Sequence, residues 1–255
     1  IERKMTQPYS RHIKLDKVIN FRDIGGYPTR DGYIVAWRRI FRSGDLAKMS
    51  AGDYSHLTEE IALSSVLDLR SDMETQRGTF PLPEAGINYY NIPFMTDGGN
   101  PEEEGRLFGK ITNMGQFYLH LVQRPEFGKR ILEALELIAV PGNHPLVFHC
   151  AVGKDRTGIL AAVLLSALGV ADEDIIEDYT LSGPYMEQLL SDFDDDPEMA
   201  EFPQHLPAFF WKASAESMEM FLTTLQHEYG TITDYLYTQG AEQTLIEKLR
   251  KALLV

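Results

Sequence analysis

Short apolar runs bounded by turn residues fill the first third of the chain. Tyr33-Ile34-Val35 follows Arg30-Asp31-Gly32, whose Asp-Gly pair signals a hairpin turn. Arg39-Ile40-Phe41-Arg42, Ser65-Val66-Leu67-Asp68-Leu69 and Ile87-Asn88-Tyr89-Tyr90-Asn91-Ile92 read as further strands. Ala51 to Leu63, between two of these, reads as a helix. After Pro101 the period changes. Met114 to Val122 and Phe127 to Ile138 carry apolar residues three and four apart, the mark of helices with one buried face. Pro145-Leu146-Val147-Phe148 interrupts them as a buried strand, Ile159 to Leu165 reads as the helix that follows, and helices continue to the end. Strands separated by helices predict an α/β fold with a mainly parallel central sheet flanked by helices.

The segment from Gly183 to Met220 breaks the pattern. It gathers Asp192, Asp194, Asp195, Asp196, Glu198 and Glu201 beside Met186, Phe193, Phe209, Phe210, Trp211 and Met218, and Pro197, Pro203 and Pro207 divide it. Two readings stand: a helical pair packed on the core, or a helical lid whose aromatic side covers a pocket.

Length and composition narrow the class. With 255 residues the chain holds one large α/β domain or two small ones. It has neither internal repeat nor low-complexity linker, so the expectation is a single domain over 1–255. A hydrophobic content of 44% and a charged content of 24% are those of a globular protein. The net charge of −14 argues against a nucleic-acid partner and against an anionic membrane surface. No apolar run has the length of a membrane span. Ile1-Glu2-Arg3-Lys4-Met5 shows no signal-peptide pattern, and a first residue other than Met leaves export open. The expectation is a soluble protein, cytoplasmic or secreted, with its oligomeric state undetermined.

The chemistry concentrates at His149-Cys150-Ala151-Val152-Gly153-Lys154-Asp155-Arg156-Thr157-Gly158, which holds the single cysteine. Strand, tight loop and helix in that order bring backbone N–H groups to a helix N-terminus, where they bind anions. The same field favours an anionic sulfur. An arginine five residues beyond the cysteine adds a planar fork matched to phosphate oxygens. This is the equipment of a cysteine-dependent phosphatase. An inert core cysteine would not need Lys154, Asp155 and Arg156 within the next turn. A nucleotide-binding P-loop would need Gly at Phe148 and Ser or Thr at Asp155. One cysteine without a close histidine pair makes no zinc site, and no Gly-x-Ser-x-Gly elbow occurs.

Together with Asn20-Phe21-Arg22-Asp23-Ile24-Gly25-Gly26-Tyr27, Phe41-Arg42-Ser43-Gly44, Val66-Leu67-Asp68-Leu69-Arg70-Ser71 and Asp234-Tyr235-Leu236, this loop resembles the atypical bacterial protein-tyrosine phosphatases. The motifs span nearly the whole chain. The resemblance implies a protein-tyrosine-phosphatase-like fold, in some members with a helical lid, here 183–220. It also implies phosphotyrosine activity, with phosphoserine, phosphothreonine and phosphoinositide activity in some members. Lys154 is the residue associated with the wider range. The implied partner is a phosphorylated protein or peptide, or a phosphoinositide. No cofactor and no metal are implied.

Carried onto this chain, Cys150 is the nucleophile and forms a phosphocysteine intermediate. Arg156 clamps equatorial oxygens, and backbone N–H groups from Ala151, Val152, Gly153, Lys154, Asp155 and Arg156 complete the cradle. His149 holds the loop, and Thr157 donates its hydroxyl to the sulfur. The general acid has two candidates: Asp155 within the loop, preferred for its proximity, and Asp97 on a loop after the Ile87–Ile92 strand. Arg22, Asp23, Asp68 and Arg70 read as structural ion pairs near the cradle, the alternative being that Arg22 or Arg70 contacts substrate or orients the loop. Alternatives to a phosphotyrosine enzyme are a phosphoinositide or inositol-phosphate phosphatase and an inactive phosphate-binding module.

Overall fold

The computed structural model describes residues 9–76, 78, 86–95, 109–194 and 206–255. Its centre is a five-stranded sheet of β1 (Arg22–Asp23), β2 (Ile40–Ser43), β3 (Ser65–Asp68), β4 (Asn88–Asn91) and β5 (Leu146–His149). The order is β1-β2-β5-β3-β4, with β5 in the middle. β2, β5, β3 and β4 run parallel, and β1 closes one edge antiparallel to β2.

Alternate residues of the central strands enter different cores. Ile40, Leu67, Leu146 and Phe148 join the larger apolar cluster. Phe41, Val66 and Val147 join a second cluster with Val18, Leu57 and Ile61. A strand buried on both faces needs a continuous apolar run, which is why these segments stand out in sequence.

Helices cover the sheet: α1 (Ala51–Ser55), α2 (Asp72–Thr75), α3 (Met114–Val122), α4 (Pro125–Ile138), α5 (Asp155–Leu168), α6 (Asp172–Thr180), α7 (Gly183–Asp194), α8 (Ala215–Tyr229), α9 (Ile232–Thr238) and α10 (Gln243–Leu253). α5 is buried along nearly its whole length and ends at Gly169, whose φ of 92° is the left-handed cap conformation.

Several elements differ from the sequence pattern. Tyr33-Ile34-Val35 joins no sheet; it makes isolated bridges, Pro28 to Ile34 and Val35 to Leu254, around the Asp31-Gly32 turn. Arg22 and Asp23, outside the strands expected from the sequence, form β1. Two polar residues carry no strand signal, and their pairing is decided by β2. The helix from Ala51 changes at His56 to a π turn ending at Glu60. α5 begins inside the motif, at Asp155 rather than Ile159. Of the 183–220 segment, α7, a 3-10 turn at Ala208–Trp211 and the start of α8 are described; Pro197 and Pro203 lie outside the described residues.

Candidate active site

Cys150 follows the last residue of β5 and is 3% exposed. The loop after it is gripped by its carbonyls. Ala151 O accepts from Asp45 N at 3.0 Å, Val152 O from Asn20 Nδ2 at 2.9 Å, and Gly153 O from Arg42 Nη2 at 2.8 Å. In a trans peptide the C=O and N–H point opposite ways. Drawing these carbonyls outward therefore turns the N–H groups of Val152, Gly153 and Lys154 to the other side. Gly153 has φ of 77°, and a Cβ there would lie 2.5 Å from Ser43 O, so only glycine fits.

α5 supplies the rest. Its first bond is Gly158 N to Lys154 O at 2.8 Å, so the N–H groups of Asp155, Arg156 and Thr157 have no acceptor within the helix. No side chain caps this end. By contrast Ser50, Ser71 and Asn113 cap α1, α2 and α3. An uncapped helix end beside a turned loop is a concave set of donors suited to an oxyanion.

Arg156 bears on this concavity from α5. Its Nη1 and Nη2 donate to Glu74 Oε2 and Oε1 at 2.5 and 2.8 Å. Burial disfavours the cation, but the Glu74 hydrogen bond and the neighbouring anions hold its pKa above the ordinary value. Glu74 was not singled out in sequence. The signal was present: Ser71-Asp72-Met73-Glu74 has the spacing of a capping box, and Glu74 Oε2 accepts Ser71 N at 2.9 Å.

Lys154 is fully buried. Its Nζ donates to the carbonyl of Phe210, and that of Lys212 lies 3.4 Å away. Its charge is thus directed at the backbone of 210–212. Asp155, one residue on, accepts from the Tyr118 hydroxyl at 2.6 Å. Asp97 lies outside the described residues. The Thr157 hydroxyl is buried without a hydrogen-bond partner among the described residues.

His149 is fully buried between Cys150 and Asp68. Its Nδ1 meets Cys150 O at 3.2 Å, and its Nε2 lies 3.5 Å from Asp68 Oδ2. Burial lowers its pKa against the pull of Asp68, which favours the neutral ring. Asp68 accepts from Arg70 Nε and Nη2, and Arg70 Nη1 reaches Asp45 at 2.8 Å. Because Asp45 N holds Ala151 O, this pair braces the loop at one remove.

Arg22 pairs with Asp178, not with Asp23. Its Nε donates to Asp178 Oδ1 at 3.0 Å, and Arg42 Nη1 donates to Asp178 Oδ2 at 2.5 Å. All three are 1% exposed. Burial would raise the Asp178 pKa, but two guanidinium charges hold it well below the carboxylate range. Burial and Arg22 bring Arg42 down to about 10. Asp23 turns to backbone instead, accepting Gly25 N and Arg38 N at 2.7 Å each. Asp178 lay far from any motif and carried no sequence signal.

Among the described residues no cluster of metal-ligating side chains occurs, and no helix is long and apolar enough to cross a membrane.

A lone cysteine at a parallel strand's end, in a loop that runs into a helix N-terminus with an arginine at its start, defines the class of cysteine phosphatases. The chain belongs to the tyrosine phosphatase family, whose sequence profile matches residues 13–255. Its relatives are atypical bacterial enzymes. It is 27% identical to the triple specificity protein phosphatase PtpB of Mycobacterium tuberculosis, over 92% of this chain and 96% of that one. It is 26% identical to a tyrosine-protein phosphatase of Nostoc commune, over 83% and 73%. The core catalytic domain of the PP-IP phosphatase SIW14 from S. cerevisiae matches at 21% identity and a TM-score of 0.38, covering 71% and 96%.

Proposed function

We propose that this protein hydrolyses phosphotyrosine monoesters through a phosphocysteine intermediate. The observation that carries the reading is the loop at Cys150, with carbonyls tied outward and an uncapped helix end behind it. Cys150 Sγ attacks phosphorus in line with the leaving oxygen. The N–H groups of Val152 to Arg156, with Arg156 held by Glu74, take up the equatorial charge. Asp155 protonates the leaving phenolate and then activates water for the second step. Asp97 remains the alternative acid. Thr157, with its hydroxyl otherwise unpartnered, donates to the departing sulfur. His149 supports the Cys150 carbonyl.

The reading extends to one phosphatase domain over 1–255 with a helical lid within 183–220, of which 183–194 and 206–220 are described. Lys154 supports that assignment because it holds the backbone at Phe210 and Lys212. The same contact weakens the argument from Lys154 to a more highly charged head group, so phosphotyrosine stands ahead of a phosphoinositide. Relatives' names support the class: one is called a tyrosine-protein phosphatase and another triple specificity.

The test is phosphate release from a phosphotyrosine peptide, wild type against Cys150→Ser, without added metal. Release by wild type alone is expected. Equal release by both would remove Cys150 as nucleophile. Binding without release by either would leave a phosphate-recognition module.

A further inference from the structure

Two buried phenols stand in line behind Asp155. The Tyr118 hydroxyl, on α3, lies 2.6 Å from Asp155 Oδ1. The Tyr179 hydroxyl, on α6, lies 2.7 Å from that of Tyr118. Neither ring is more than 1% exposed. Burial and the Asp155 charge push both phenols well above their ordinary pKa, so both keep their protons. That settles the direction of each bond. A carboxylate oxygen accepts, so Tyr118 donates to Asp155; Tyr179 must then donate to Tyr118. A phenol that accepts one hydrogen bond is a stronger donor in the next.

The consequence falls on the two oxygens of Asp155. Oδ1 receives Tyr118, and the Lys154 ammonium lies 3.4 Å from the same atom. In a protonated carboxyl the oxygen that accepts hydrogen bonds is the carbonyl one, and the other bears the hydrogen. Donors gathered on Oδ1 therefore leave the proton on Oδ2.

We propose that Tyr118 is a positioning residue for the general acid: with Tyr179 behind it, it fixes the rotamer of Asp155 and assigns the transferable proton to Oδ2. This rests on the reading of Asp155 as the acid. In the step itself, Cys150 Sγ forms a bond to phosphorus as the ester P–O bond breaks. The electron pair of that bond goes to the leaving oxygen, which takes the Oδ2 proton, and Asp155 is left as carboxylate.

Tyr118→Phe removes the hydroxyl and keeps the ring, which packs edge-on against Tyr179 and Phe221 at 6.1 and 6.0 Å. The experiment measures kcat and KM on phenyl phosphate, a poor leaving group, and on p-nitrophenyl phosphate, a good one. The variants are Tyr118→Phe, Asp155→Asn and the double variant. Misplacing an acid affects the step in which the proton moves, and proton transfer by a placed side chain contributes roughly 10²–10⁴-fold. Tyr118→Phe should lower kcat/KM, which reports the steps up to departure of the phenolate and not the shared hydrolysis of the phosphocysteine, by about tenfold or more on phenyl phosphate and far less on p-nitrophenyl phosphate. In the Asp155→Asn background it should cost less than about twofold, because residues acting as one unit are not additive.

Equal loss on both substrates, or full additivity in the double variant, would reduce Tyr118 to a packing role and overturn the inference. Asp155→Asn showing no leaving-group dependence would instead overturn Asp155 as the acid. Tyr179→Phe leaves the Tyr118–Asp155 contact in place and should give a smaller loss of the same selective kind. An unselective loss there would overturn the part given to Tyr179, even if Tyr118→Phe does not fold.

Discussion

Glu74 holds both Nη atoms of Arg156 while the same carboxylate closes the capping box of α2. One side chain thus joins the turn after β3 to the start of α5, across a separation of 82 residues. Burial would raise the Glu74 pKa, but the Arg156 contact holds it below the usual value. A guanidinium has more N–H groups than this pair uses, so a fixed arginine still has donors for phosphate.

Glu74→Gln keeps the shape and removes the charge. The expected result is a fall in kcat/KM of about ten- to a hundredfold, equivalent to roughly 1.4–2.7 kcal/mol of transition-state stabilisation. Steady-state kinetics on a phosphotyrosine peptide read it. A fall below about threefold would show that Arg156 needs no such brace.

Asp178→Asn leaves Arg22 and Arg42 buried against each other with no anion between them. Breaking a buried pair from one side typically costs about 3–5 kcal/mol. Denaturant unfolding should show a loss of that order. A loss near zero would mean that water or another carboxylate reaches the two arginines.

Gly153→Ala places a methyl group against Ser43 O at a φ of 77°. The loop has to shift, and its N–H groups shift with it. Turnover should drop by about a hundredfold or more, since a small misplacement of a catalytic group has that effect. Tm should change less than for Asp178→Asn. Normal turnover would mean that the loop accommodates a Cβ.

Lys154→Met removes the donor to Phe210 and Lys212 and keeps the length of the side chain. Limited proteolysis should then cut more readily near 206–214. The ratio of activity on a phosphoinositide to that on phosphotyrosine should stay within about twofold, because the ammonium points at backbone carbonyls. A selective loss on the phosphoinositide would return Lys154 to the substrate side.

His144 and His149 are buried, and burial lowers the pKa of each. Their folded forms favour the neutral ring. Their contribution is therefore present above the unfolded value of about 6.5 and is lost as pH falls toward the folded one. Stability should decline as pH falls below about 6.5, by at most about 1.4 kcal/mol per pH unit for each group. His144→Gln, away from the site, should flatten the slope in chemical denaturation. An unchanged slope would assign the decline to other groups.

The sheet was legible because its central strands alternate between two apolar clusters and so read as unbroken runs, Leu146-Val147-Phe148 most clearly. The loop at Cys150 stood out because its residues are consecutive. What surrounds it did not. Asp178 and Glu74 reach their arginines across 156 and 82 residues, and contacts that distant leave no local period. β1 was missed for the same reason, since its partner decides it. Lys154 shows a contact of another kind: its place in the loop suggested a charge within the cradle, and its Nζ meets the Phe210 carbonyl while lying 3.4 Å from Asp155 Oδ1.

The outward pull on the carbonyls of Ala151, Val152 and Gly153 has one more consequence. On the proposed reading, a cradle shaped by its surroundings takes a tetrahedral oxyanion whatever that oxyanion is attached to. Inorganic phosphate, the end of the proposed reaction, would then satisfy it as the ester does. Discrimination among substrates has to be written outside the loop, and sensitivity to accumulated product comes with the design.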